Sequence, residues 1–108
     1  SNQKSTNNEF LNHESSCHEI VLIEAAKNNE MNIAKTLLKY GANVNIQTQN
    51  LKESALHEAC KHAFVSMIQM LLEAGADPCV ANKDGLTPVD VAIKFKRESV
   101  MQLFKNMK

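Results

Sequence analysis

The chain has 108 residues, with twelve Lys or Arg against twelve Asp or Glu and no net charge at pH 7. That length suits one domain, and the balanced charge excludes an overall field that would draw the molecule onto nucleic acid or an anionic membrane. The longest apolar runs are too short to cross a bilayer. Cys17, Cys60 and Cys79 are odd in number and widely spaced with no apolar signal segment ahead of them, which points to a reducing intracellular compartment.

Residues 1–16 are rich in Ser, Asn, Gln and charge, and read as a flexible lead-in in which Phe10 and Leu11 could dock as a ragged cap. From Glu19 the spacing of Ile20, Ile23 and Ala26, then of Ile33, Ala34, Leu37 and Leu38, predicts two short amphipathic helices. Asn28-Asn29 separates them, because Asn tolerates the left-handed backbone that a tight helix-helix turn requires. Gly41 closes the second helix.

The plan then repeats. Leu22, Ala25, Ile33, Leu37, Gly41 and Ala42 recur at an offset of 34 as Leu56, Ala59, Met67, Leu71, Gly75 and Ala76. Leu56, Ala59, Met67 and Leu71 recur again at an offset of 33 as Val89, Ala92, Val100 and Phe104. A fixed period of this length predicts a solenoid of stacked units, about residues 17–47, 48–80 and 81–108. In the second unit Ser54 is the expected N-cap of a helix, followed by a helix from Val65 to Glu73 that Gly75 closes. In the third, Thr87 is the N-cap and Pro88 takes the first helical position, where its missing N–H costs nothing. Asn82-Lys83-Asp84-Gly85 ahead of it suits a β-hairpin tip.

These residues resemble the ankyrin-repeat family. The resemblance runs from Glu19 to about Phe104 and is carried by Ser54-Ala55-Leu56-His57-Glu58-Ala59-Cys60, Leu71-Leu72-Glu73-Ala74-Gly75-Ala76-Asp77 and Asp84-Gly85-Leu86-Thr87-Pro88-Val89-Asp90-Val91-Ala92. It implies an all-α solenoid of three helix-turn-helix units with β-hairpin connectors, and a non-enzymatic module for protein–protein interaction. Three departures stand out. The first unit lacks its Thr-Pro and hairpin glycine, the connector Ile46 to Glu53 is one residue longer than the pattern, and Ala63 and Lys96 replace the inter-helix glycine.

His57, Cys60 and His62 form a cluster that could suggest zinc, but His62 lies well round the helix from the other two and no fourth ligand stands nearby. The resemblance makes His57 the structural histidine of the repeat and Cys60 a replacement for a small core alanine. Neither metal nor cofactor is expected. Cys17-His18 have nothing to orient a nucleophile, and the chain has no Gly-rich phosphate loop, so catalysis is not expected either. Met67, Met70 and Met101 fall at core spacing. Lys94, Lys96 and Arg97 make the last unit locally basic, with Phe95 as the one aromatic partner; most such clusters are simply solvated, and no direct nucleic-acid contact is expected.

The resemblance places Glu24, Glu58 and Val91, each following the motif-histidine position, on the concave groove. Adjacent helices pack about 8–10 Å apart and an extended peptide advances about 3.3 Å per residue, so exposed Glu24 and Glu58 would match two basic residues about three apart. The alternative is that both are ordinary surface glutamates. The expected groove comprises Glu24, Lys27, Asn28, Asn50, Glu53, Glu58, Lys61, Asp84, Leu86 and Val91. A second resemblance, around Leu56 to Cys60 and Gly85 to Asp90, is to the histone-tail-reading ankyrin domains of the BRCA-one-associated RING-domain protein and the tonsoku-like protein, and to the related ankyrin segment in the localisation factor of the SMC five-six repair complex. It implies a basic peptide partner, with an unmodified histone H-four tail as the candidate, in a nuclear chromatin or DNA-repair setting and without a membrane. The groove tryptophan of that group is absent, with Glu19 or Glu53 near its place, and its groove asparagine is replaced by Lys27. The rival expectation is a scaffold that docks a folded subunit of a larger complex.

Overall fold

The computed structural model describes residues 17–106. The expected lead-in, with Phe10 and Leu11, lies outside them, as do the side chains of Cys17 and His18. Among the described residues six helices follow in order: α1 (Cys17–Lys27), α2 (Met31–Lys39), α3 (Ala55–Lys61), α4 (Val65–Glu73), α5 (Pro88–Lys94) and α6 (Glu98–Lys105). Each odd-numbered helix packs on the even-numbered helix after it, and α1, α3 and α5 stack on one another as an inner row. An all-helical solenoid of three helix pairs results.

Local chemistry sets these ends. The Ser54 hydroxyl accepts from the His57 backbone N–H at 3.2 Å, while the Ser54 N–H donates back to His57 Nδ1 at 3.2 Å. This is a capping box in which histidine takes the usual place of glutamate. Thr87 and Asp90 form the same reciprocal pair at 3.2 and 3.1 Å ahead of α5, with Pro88 in the first turn.

Between the paired helices the chain passes through a left-handed residue: Asn29 at φ 60°, Ala63 at φ 60° and Lys96 at φ 58°. Each turn is locked by the next amide reaching back to an alanine carbonyl, Glu30 to Ala25 (2.8 Å), Phe64 to Ala59 (3.0 Å) and Arg97 to Ala92 (2.8 Å). Those bonds satisfy carbonyls that the ending helix would leave open. They hold Ala63 and Lys96 where glycine would be less strained.

The connectors fold back as hairpin-like turns, yet among the described residues none forms a strand. Thr48 donates to the Glu53 carbonyl at 2.9 Å and Asn82 to the Leu86 carbonyl at 2.9 Å, and Lys83 donates across to Leu51 of the preceding connector at 2.9 Å. Single bonds of this kind are too few to build a ladder. Lys52, at φ 58°, takes the left-handed position that Gly85, at φ 81°, takes in the next connector. Asn45 ties neighbouring connectors, its amide donating to the Gly75 carbonyl at 3.2 Å and its oxygen accepting from Asp77 N–H at 2.7 Å.

The core is one continuous cluster in which Leu22, Leu56, Met67, Ile68, Leu71 and Val100 are buried, with Met70, Met101, Leu103 and Phe104 packed half-buried against it. At the N-terminal end Ile20, Val21 and Ile33 are 47%, 43% and 43% exposed, whereas Ser54, Ala55 and Met67, their counterparts in the second unit, are buried.

Candidate interaction surface

The stacking of α1 on α3 and of α3 on α5 brings corresponding positions of the three inner helices into register. Glu24, Lys27 and Asn28 are exposed along α1 and its end, and Lys61 is exposed at the end of α3. On the connector tips Asn50 and Asp84 are exposed, with the Asn50 side-chain oxygen accepting from the Leu51 N–H at 2.8 Å. Leu86 is half-buried, and its carbonyl is engaged by His57.

Two of the expected groove positions differ from the sequence reading. Val91 is only 4% exposed, because a short apolar side chain gains by withdrawing from water; the groove face therefore ends in a covered residue at the third unit. Glu58 was expected to be exposed, but its side chain is only 13% accessible. Its Oε1 lies 3.9 Å from Nε2 of His62 one turn on, and both atoms are shielded from solvent without a hydrogen-bond partner. His62 is held in turn by stacking on Phe64, ring centroids 5.5 Å apart. Of the acidic pair, Glu24 is open and Glu58 is largely covered.

Glu53 is half-buried beside this pair and accepts from the side-chain amide of Asn82 at 3.4 Å. Burial raises its carboxyl pKa above the ordinary value, and the Glu58 charge adds to the rise. The Lys61 charge and the Asn82 hydrogen bond oppose it.

His57 has the structural role that the sequence suggests. It is fully buried, Nδ1 accepts from Ser54, and Nε2 lies 2.8 Å from the Leu86 carbonyl, so the ring must carry its proton on Nε2. Both ring nitrogens are thereby committed to joining α3 to the next connector. Burial pushes the Cys60 thiol up to about 12, far from the thiolate a metal or nucleophile would require. Among the described residues no group of three His, Cys, Asp or Glu side chains converges as a metal site. No helix among them is long and apolar enough to cross a membrane.

Sequence reasoning missed His62 and Asn82 as neighbours of the acidic residues. The spacing of four between Glu58 and His62 was a readable signal for the first. For Asn82 there was none, since its contact with Glu53 spans 29 residues.

The geometry defines a repeat protein that presents a surface rather than a cleft, and comparison with known proteins agrees. The ankyrin-repeat family model, in three copies, matches residues 22–108. The chain belongs to the ankyrin-repeat family. It is 36% identical over 72 residues to the human (Homo sapiens) 2-5A-dependent ribonuclease, covering 67% of this chain and 10% of that protein. It is 39% identical over 71 residues to the Mus musculus B-cell lymphoma 3 protein homolog, covering 66% and 16% respectively. Over 71 residues it is 41% identical to the Caenorhabditis elegans homolog of ankyrin repeat and LEM domain-containing protein 1, covering 66% and 10%. The chain thus spans between a tenth and a sixth of these relatives. Ankyrin repeats are protein–protein interaction modules, so binding is the class of function that follows.

Proposed function

We propose that the inner-helix face binds a basic extended peptide, for which an unmodified histone H-four tail is the candidate, and that the protein acts in the nucleus on chromatin. The observation carrying this reading is the placement of Glu24 and Glu58 at equivalent positions of the adjacent helices α1 and α3. A lysine or arginine side chain on Glu24 would make a charge-assisted hydrogen bond, stronger than a neutral one. A second would meet the part of the Glu58 side chain that remains accessible, since its Oε1 is shielded. Titration calorimetry with the tail peptide tests it. Glu24→Lys should weaken binding by about 2–5 kcal/mol where the pair is desolvated, and Glu58→Gln should weaken it without adding charge. Binding equal to that of the parent protein in both variants, or none by the parent, would overturn the reading.

A second reading, docking of a folded subunit, is favoured by one observation. The exposed Ile33 lines an open depression of about 270 Å³ with Asn32, Thr36 and Leu37, and with the exposed Val21 it borders a second, smaller one beside Glu24 and Asn28. A surface of that character matches the packed apolar centre of an interface between folded partners.

A further inference from the structure

Each inner helix ends in lysine: Lys27 on α1, Lys61 on α3 and Lys94 on α5, all exposed and in corresponding positions of stacked helices. A cation at a helix C-terminus complements the helix dipole, which accounts for one lysine per helix. It does not account for how they converge in the last two units. The Lys61 and Lys94 ammonium groups lie 5.6 and 5.7 Å from the centroid of the same Phe95 ring, which is 41% exposed. Two like charges drawn to one ring repel each other, and the ring quadrupole offsets only part of that. Arg97 adds a third charge. Its Nε donates to the Lys61 carbonyl at 2.8 Å, which fixes the guanidinium at the end of α3. Lys96 stands exposed beside it. None of these cations makes an ion pair among the described residues; Lys61 feels Glu53 only through space.

We propose that the row Lys27, Lys61 and Lys94, with Arg97 and Phe95 at its third-unit end, is a binding surface along the ends of the inner helices that takes an extended acidic peptide. Three inner helices at about 8–10 Å spacing set the lysines along roughly 20 Å. A segment in the extended polyproline-II conformation has three residues per turn and rises about 3.1 Å per residue, so about seven residues with a carboxylate at every third position present all three on one face and meet the three lysines. The carboxylate at the third-unit end lies between Lys61 and Lys94 and relieves their repulsion, while its stem lies on Phe95. The surface shares Lys27 and Lys61 with the expected groove but recognises the opposite charge, so the sign of the peptide that binds distinguishes it from the Glu24 and Glu58 reading.

The test uses the full chain and three fluorescent probes: a seven-residue peptide with Glu at positions one, four and seven, the same composition with the three Glu adjacent, and a single-stranded RNA oligonucleotide. The spaced peptide should bind best, and Lys61→Glu with Lys94→Glu should weaken it at least tenfold with an unchanged melting curve. Should the reversals disturb folding, Lys61→Gln with Lys94→Gln must still weaken it severalfold. Phe95→Ala should weaken it to a smaller extent. Equal binding of the adjacent-Glu peptide, tighter binding of the RNA with loss in the same variants, or no response to either pair of substitutions would each overturn the proposal.

Discussion

Oε1 of Glu58 and Nε2 of His62 face each other at 3.9 Å across one turn of α3, and neither has a hydrogen-bond partner or access to solvent. The facing atoms of the pair are shielded from water, where an unmatched charge is costly. Glu58→Lys should therefore destabilise the fold by about 1–3 kcal/mol, whereas Glu58→Gln, whose amide can donate to His62, should cost less than half of that. Urea denaturation of both variants measures the difference. Equal midpoints would show that Glu58 stands in water after all.

His57 joins three segments: the N-cap at Ser54, the body of α3 and the Leu86 carbonyl of the following connector. His57→Ala leaves a cavity and strands buried polar groups at both contacts, so it should cost about 2–4 kcal/mol. Chemical denaturation checks the stability. Amide exchange should show faster opening at the second connector, around Leu86, than at α1.

The units and their helix ends were legible because they rest on local chemistry. The 34-residue offset from Leu22 to Leu56, the caps at Ser54 and Thr87, the left-handed Asn29 and the closing Gly41 and Gly75 each follow from a few adjacent residues. Exposure within the groove was not legible. Glu24 and Glu58 occupy the same place in the repeat, but α3 has a neighbour on either side and α1 packs on α3 alone among the described inner helices, which is why only Glu58 is largely covered. Val91 is covered for a different reason: it is apolar in a position where its counterparts are charged. The shared Phe95 between Lys61 and Lys94 arises between units and has no signature within either one.

Ala63 has φ 60°, which a Cβ makes unfavourable, between two helices whose geometry demands it. Ala63→Gly relieves about 1–2 kcal/mol of strain but gives the unfolded chain more freedom. A net gain of about 0.5–1 kcal/mol is expected, read as a rise in melting temperature. A loss would mean that the half-buried Ala63 methyl group contributes more by packing than it costs in strain.

Cys60 and Cys79 differ in reactivity for a physical reason. Cys60 is buried with its thiol pushed up to about 12, and Cys79 is exposed on a connector. A maleimide at pH 7 should label Cys79 within minutes and leave Cys60 unmodified until the protein unfolds. Peptide mapping by mass spectrometry distinguishes the two sites. Prompt labelling of Cys60 in the folded protein would show that α3 opens far more readily than its packing implies.

Glu53 should make the fold respond to pH in a stated direction. Burial, with the nearby Glu58 charge, raises its pKa above the ordinary 4.5, against the opposing influence of Lys61 and Asn82. A carboxyl raised in the folded state holds its proton there more readily than in the unfolded chain, so its ionisation opposes folding. The unfavourable contribution is fully present at neutral pH. It fades as the pH falls through the raised folded value and is gone below the unfolded one. Glu53→Gln keeps an acceptor for the Asn82 amide and removes the charge, so it should stabilise the protein at pH 7 by roughly 0.5 kcal/mol, a modest figure because the group is half-exposed and screened. At pH 4 the advantage over the parent should shrink towards zero. Guanidinium unfolding of both proteins at the two pH values measures it, and an advantage that grows on acidification would mean that the ionised carboxylate stabilises the connector through Asn82 and Lys61.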